Sequence, residues 1–182
     1  MAIKTFTTGE VLTASDTNTY LANAGLVYIK SVTIVSGAST TPVTNCFSST
    51  YDNYRVVING VQTSAALGLC IRLGSTATGY FGNMSHALYT ATAFTLVPMN
   101  NATFFYVGLS DNSAPSTSTS FDIFQPYLTT KTMYSGVYYG RGYMGNFGGS
   151  LENSTSYTDL NVLNESGTLT SGTITVFGYR KA

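Results

Sequence analysis

Charged side chains are scarce in this sequence. Of its 182 residues, Lys and Arg account for 8, Asp and Glu account for another 8, and the formal net charge is zero. Charged residues make up 9% of the chain, against about 25% in a typical soluble domain. Because there is no basic surplus to neutralise phosphates, the composition argues against nucleic-acid binding.

Long apolar runs and cysteines are also lacking. No stretch reaches the roughly 18 apolar residues that a membrane-spanning helix needs. The opening Met1–Gly9 lacks the apolar centre of a signal peptide. Cys46 and Cys70 are too few for a disulfide framework, and without an export signal we expect both to be buried free thiols.

Histidine occurs once, as His86. A zinc site needs several His or Cys ligands, so one histidine and two separated cysteines predict no metal site. A Ser-His-Asp site would need a nucleophile beside His86, and the chain has no Gly-x-Ser-x-Gly elbow. We therefore expect His86 to be a hydrogen-bonded strand or loop residue, and we predict no catalytic residue.

The segment Gly140–Gly145 matches the Gly-x-Gly-x-x-Gly pattern of dinucleotide-binding loops. That pattern binds a pyrophosphate when it opens a helix, whose N-terminus faces the phosphates. The residues that follow, Asn146–Ser150, are too rich in glycine to start a stable helix. We therefore predict a Gly-rich hairpin or loop here, and no cofactor.

A pair of carboxylates could support a different chemistry, because glycan-cleaving enzymes use two acidic residues. The acids here are scattered, and most lie in turns or caps, so their spacing does not indicate a pair. A glycan-cleaving enzyme is therefore the least favoured alternative. The eight acids are Glu10, Asp16, Asp52, Asp111, Asp122, Glu152, Asp159 and Glu165.

Ser, Thr, Asn and Gly supply the polar surface that charges usually provide. Hydroxyl and amide groups interact with water but carry no net charge to keep molecules apart in solution. A neutral domain with so few charges tends to associate. We therefore expect a homo-oligomer in which much of the surface lies against other copies or other proteins; the alternative is a monomer with a polar, Thr-rich β surface.

One short helix is predicted near the N-terminus, over residues 14–23. Thr13 and Asp16 have the spacing of a helix N-cap, and Gly25 is a plausible end of the helix. Four apolar or small residues follow helical spacing along this segment. They are Ala14, Tyr20, Leu21 and Ala24.

After Leu26 the sequence is typical of strands and turns. Its length predicts about one domain, and short strands without interleaved helices favour an antiparallel β-sandwich of the jelly-roll type. Asn59-Gly60 predicts a hairpin turn. The predicted strands include Tyr28–Val35, Tyr54–Ile58, Leu67–Leu73, Phe104–Leu109, Phe121–Phe124, Met133–Tyr139 and Thr173–Tyr179.

Tyrosines and glycines cluster between residues 134 and 149. Glycine lets a backbone approach a ligand closely, and an exposed tyrosine offers a flat apolar face with a hydroxyl. Tyr138, Tyr139 and Tyr143 could therefore contact a glycan or a partner protein. The alternative is that the aromatic rings belong to the core and the glycines to a flexible loop.

Both ends of the chain resemble a known class of proteins. Within Lys4–Leu21 lies the pattern Phe-x-x-Gly-Glu-x-Leu-Thr-Ala-x-x-x-Asn-x-Tyr-Leu, which resembles the N-terminal segment of many tailed-bacteriophage virion proteins. Phe47–Asn59 and Ser171–Arg180 are similar to strands of phage fibre and surface domains of the β-sandwich type. The chain departs from long tail fibres because it has no shaft repeat, which favours a short fibre or a capsid decoration protein.

The resemblance implies a non-enzymatic structural protein of the virion, assembled in the host cytoplasm. Residues 1–25 would form an anchor, in which Leu12, Tyr20 and Leu21 dock into a neighbouring virion protein. Residues 26–182 would form the β-sandwich and self-associate, and trimers are common among similar phage surface proteins. The alternative function is that of a host-receptor module that binds surface glycans.

Overall fold

Most of the described chain forms β-strands, because apolar and polar side chains alternate along its sequence. The computed structural model describes residues 7–16 and 25–181. In that part of the chain two antiparallel sheets pack face to face, which confirms the predicted mainly β sandwich. The strands are β1 (Leu26–Thr33), β2 (Thr40–Val43), β3 (Asn53–Thr63), β4 (Gly68–Leu73), β5 (Tyr80–Leu88), β6 (Thr95–Ala102), β7 (Phe105–Leu109), β8 (Thr117–Phe124), β9 (Thr132–Gly140), β10 (Tyr143–Leu151), β11 (Leu160–Asn164) and β12 (Leu169–Tyr179).

The two sheets differ in size. The large sheet has eight strands in the order β1-β12-β3-β8-β9-β10-β5-β6, and the small sheet has four in the order β2-β11-β4-β7. The small sheet covers one side of the large sheet, and residues 7–16 and 25–181 form no second sheet over the other side. We call that uncovered side the outer face.

The core lies between the sheets and follows the period of two expected of strands. In β8 each odd-numbered residue is buried and each even-numbered residue is partly exposed. Aromatic rings fill the centre, where Phe105 of the small sheet stacks on Tyr134 of the large sheet at 3.8 Å between ring centroids. Tyr134 in turn stacks on Phe147 at 5.4 Å. Burial of these rings supplies a large apolar contribution to folding.

The predicted helix start is confirmed. The Thr13 backbone N–H donates to the Asp16 carboxylate at 3.1 Å, and the Asp16 N–H donates to the Thr13 hydroxyl at 3.1 Å, which is a reciprocal cap. The helical residues that the structure describes are Ala14–Asp16. The rest of the predicted helix, residues 17–23, lies outside the described residues.

The prediction of a hairpin turn at Asn59-Gly60 is wrong. Both residues lie inside β3, where Gly60 has a φ of 64° and the pairing with β8 shifts between Ile58 and Val61. The shift is a β-bulge, which inserts an extra residue into one strand. Its effect is visible in burial, because even-numbered residues of β3 are buried before the bulge and odd-numbered residues after it.

The predicted Gly-rich hairpin is confirmed. β9 and β10 pair from Gly140 and Tyr143 onward. The two residues between them, Arg141 and Gly142, have φ values of 55° and 78°, and a two-residue hairpin turn of this kind requires positive φ at both positions.

Each of the four edge strands carries a feature that disfavours further strand pairing. Pro42 in β2 and Pro98 in β6 have no backbone N–H, and proline in a sheet is typical of edge strands. β1 is bulged at Ile29, between the pairs of Tyr28 and Lys30. β7 is bulged as well, where the pairing with β4 shifts between Leu69 and Cys70.

Candidate functional site

The three tyrosines singled out in the sequence do not form one platform. Tyr139 points to the outer face and is 45% exposed, whereas Tyr138, one position earlier, is 4% exposed and lies in the core. Neighbouring residues of a strand point to opposite faces, so the two rings cannot share a surface. Tyr143 is half-buried, with its ring 5.2 Å from that of His86. The side chain of Tyr138 therefore lies on the core side of β9, away from the exposed ring of Tyr139.

Gly145 makes room for the ring of Tyr138. A Cβ at position 145 would clash with the Tyr138 ring and with the backbone carbonyl of Ser85 on β5. The glycines of this region thus belong to strand β10, and the alternative that placed them in a flexible loop is wrong. The other half of that alternative, in which Tyr138 belongs to the core, is confirmed.

The outer face exposes apolar side chains from β9 and its neighbours. Val137 on β9 is 60% exposed and Met144 on β10 is 54% exposed. Met144 pairs with Tyr139, so these two side chains lie side by side. Met133, at the start of β9, and Leu96, on β6, are also exposed. Contiguous exposed apolar patches of this kind mark interaction surfaces.

Two grooves run beside Met144 on this face. The first groove has a volume of about 440 Å³ and the second of about 510 Å³, and Met144 and Gly145 line both. The first groove is lined further by Val57, Asn59, Ser118, Thr119, Ser120, Val137, Tyr138 and Tyr139. The second is lined further by Ala87, Leu88, Tyr89, Ala91, Thr92 and Phe94.

The charges on the outer face neutralise one another. The eight strands of the large sheet hold three charged residues, Lys30, Arg55 and Asp122. Lys30 donates to the Thr44 carbonyl at 2.8 Å, next to the small sheet. Arg55 and Asp122 form a two-point ion pair with N–O distances of 2.8 and 2.7 Å.

Asp122 stays ionised in this arrangement. Partial burial by itself would raise the pKa of Asp122, but hydrogen bonds from Arg55 and from the Tyr179 hydroxyl, at 2.6 Å, outweigh burial and hold the pKa below its ordinary value. The face therefore presents an internally compensated pair with no unpaired charge.

His86 lies in β5 and is 6% exposed. Its strand position is as predicted, but the expected hydrogen bonding is not met at Nδ1, which is buried without a partner among the described residues. The buried hydroxyl of Tyr138 also lacks a partner there, and the two rings lie 6.4 Å apart. Burial lowers the pKa of His86 below its ordinary value.

The acidic residues occupy separate structural roles. Asp111 accepts hydrogen bonds from the Ser113 hydroxyl and backbone N–H, which lower its pKa. Glu152 pairs with Lys131, and its pKa is lowered too. A glycosidase acid needs a raised pKa; for Asp111, Asp122 and Glu152 the shifts run in the opposite direction.

The cysteines match the prediction: Cys46 and Cys70 are buried and unpaired. Burial raises the pKa of Cys46 to about 12 and the pKa of Cys70 well above its ordinary value. Across residues 7–16 and 25–181 there is no cluster of three potential metal ligands. In the same ranges no helix has the length and apolar character needed to cross a bilayer.

The structure describes one of the three predicted anchor residues. Leu12 is 49% exposed, directly before the capped turn at Thr13. Its neighbour Val11 is also exposed. Tyr20 and Leu21 lie outside the described residues.

Comparison with known proteins gives no match: no family model, no curated protein and no solved structure is similar to this chain.

Proposed function

We propose that this protein is a non-enzymatic structural component of a bacteriophage particle, either a short fibre or a capsid decoration protein. The observation that carries the proposal is the uncovered outer face of the large sheet, where apolar side chains are exposed around a single compensated ion pair. A face of this kind favours stable association over chemistry. The resemblance of the N-terminal segment to phage virion proteins is the reason for placing this association in a phage particle.

The proposed anchor supports the same function. Leu12 and Val11 expose apolar surface immediately before a capped helix start. A short helix with apolar residues on one side can bind in a groove of another protein. The anchor would attach the protein to the particle, and the β-sandwich would project from it and associate with identical copies.

Deletion of residues 1–25 tests the proposal. Purified phage particles should carry the full-length protein on immunoblots and lose it when these residues are deleted, because the attachment surface is gone. The deleted protein should keep the β-rich circular dichroism spectrum of the sandwich, since every buried core residue that the structure describes lies after residue 25.

A point variant sharpens the test. Leu12→Asp should lower the amount of protein on particles, while the matched control Val35→Asp, at a side chain that is 73% exposed on the sandwich, should leave it unchanged. Full attachment of the deleted protein would disprove the anchor, and absence of the full-length protein from particles would disprove the function.

A second candidate function is binding of a host surface glycan. It is favoured by Tyr139, whose exposed ring borders the first groove beside the polar side chains of Asn59 and Ser118. An aromatic face with hydroxyl and amide neighbours suits a sugar ring.

A further inference from the structure

We propose that the outer face, from β3 across to β6, is the surface through which one copy of this chain binds a second copy. The inference rests on the proposed function for its premise that the β-sandwich self-associates, and it adds the location of the contact. Exposure, charge, shape and the state of the sheet edges each support it.

Exposed apolar side chains concentrate on neighbouring strands of this face. Val137, Tyr139 and Met144 lie on the paired strands β9 and β10, and Leu96 lies two strands further on β6. Phe94, just before β6, extends the patch into the second groove. Burial of such a patch against another protein is favourable by about 25 cal/mol for each Å² removed from water.

The lack of net charge on the face favours a second copy as the partner. Arg55 and Asp122 bind each other, and the rest of the face is made of apolar, hydroxyl and amide side chains. A partner with a charged surface would lose solvation without gaining an opposite charge. A second copy presents the same neutral face, so neither molecule buries an unpaired charge.

The two grooves of the face share a lining side chain that a second copy could use. Met144 stands between the first and second grooves and lines both. When two copies meet around a two-fold axis that lies between Met144 and one groove, each Met144 faces the groove of the other copy. In a three-fold ring the same side chain enters the groove of the next copy. Methionine is suited to this role because its flexible side chain fills irregular gaps.

Because the sheet edges are unsuited to strand pairing, the outer face is the more favourable surface for association. Strand addition needs an edge with free N–H and C=O groups. Pro42 and Pro98, which have no backbone N–H, lie in two of the edge strands, and bulges interrupt the other two. Copies that cannot extend each other's sheets must associate through their side chains.

Sedimentation velocity of the full-length chain over a range of concentrations tests the inference. Wild type should form a dimer or a trimer. Val137→Lys should weaken self-association by about tenfold or more, because the interface would have to desolvate an ammonium group. The matched control Val35→Lys, at a valine that is 73% exposed in the segment after β1 and outside the strands from β3 to β6, should associate like wild type.

The outcomes separate this inference from the proposed function. If Val137→Lys associates as strongly as wild type, the interface lies elsewhere, although self-association stands. If wild type is a monomer at all concentrations, the inference falls; a monomer that binds host polysaccharide through Tyr139 would assign the face to a glycan instead. Attachment to particles is measured separately with the N-terminal deletion. Should Val137→Lys fail to fold, Met144→Gln on the full-length chain replaces it, with the same expectation.

Discussion

At the scale of single residues, His86 is the most unusual group in the sandwich. Its ring lies between those of Tyr138 and Tyr143, and its Nδ1 has no partner in the part of the chain that the structure describes. A buried imidazole without an acceptor nearby is more stable neutral than charged. This residue therefore links protonation to folding.

We expect the free energy of unfolding to fall as the pH drops below 6.5, the ordinary pKa of the side chain. Because the pKa of His86 is lowered in the folded state, the unfolded state binds more protons in this window, and acid favours unfolding. Well above pH 6.5 the histidine is neutral in both states and contributes no slope. Thermal unfolding at a series of pH values measures the effect.

His86→Gln is the control for this slope. It should flatten the pH dependence between 6.5 and the range near about 4 where carboxylates titrate. An unchanged slope in the variant would assign the acid sensitivity to another group.

At the scale of secondary-structure elements, β10 shows how a glycine-rich segment forms a regular strand. Gly145 has no Cβ, and the ring of Tyr138 from β9 occupies the space that a side chain would take. An aromatic ring on the neighbouring strand thus restores the apolar contact that glycine lacks. Gly148, on the same strand, points to the outer face and has no such neighbour.

This difference predicts unequal effects of alanine at two positions of one strand. Gly145→Ala should lower the free energy of unfolding by about 1–3 kcal/mol, because the added methyl group clashes with the Ser85 carbonyl and the Tyr138 ring. Gly148→Ala should change it by no more than about 0.5 kcal/mol, since its nearest contact would be an ordinary 3.4 Å to the Tyr134 carbonyl.

Urea unfolding of both variants measures these changes. Both substitutions remove the same backbone freedom from the unfolded chain, so their difference reports the folded state. Equal stabilities would mean that β10 can shift away from β5 at low cost.

The elements also show what the sequence could predict. Strands with a strong apolar alternation, such as β4, β8 and β9, were identifiable from their period of two. β5, β6 and β10 were not, because polar residues, a proline or glycines interrupt their alternation, and in β10 the ring of Tyr138 takes the place of a side chain at Gly145. The same alternation could have separated Tyr138 from Tyr139: a platform built from adjacent strand residues is geometrically excluded. The exposure of Val137 and Met144 required knowledge of which side the small sheet covers.

At the scale of the whole molecule, the sandwich encloses its two thiols. Cys46 lies in the segment after β2 and Cys70 lies in β4, and both are buried and unpaired. Burial raises the pKa of both, which keeps them protonated at neutral pH. Since the thiolate is the reactive form, both thiols should become reactive when the sheets separate.

Alkylation with iodoacetamide should therefore report unfolding of the entire sandwich. Native protein should stay unmodified over hours at pH 8, and both thiols should react together as urea crosses the unfolding transition, followed by mass spectrometry. Cys46→Ser and Cys70→Ser variants assign the signals. Rapid labelling of Cys70 in native protein would instead reveal a local opening of the small sheet.

The closed edges of both sheets have a consequence for how the protein behaves when it is abundant. Amyloid growth requires a strand whose free backbone groups can template another molecule. A proline or a bulge on each edge strand of the described residues makes such templating unfavourable in the native molecule. We therefore expect the purified protein to stay free of fibrils at high concentration.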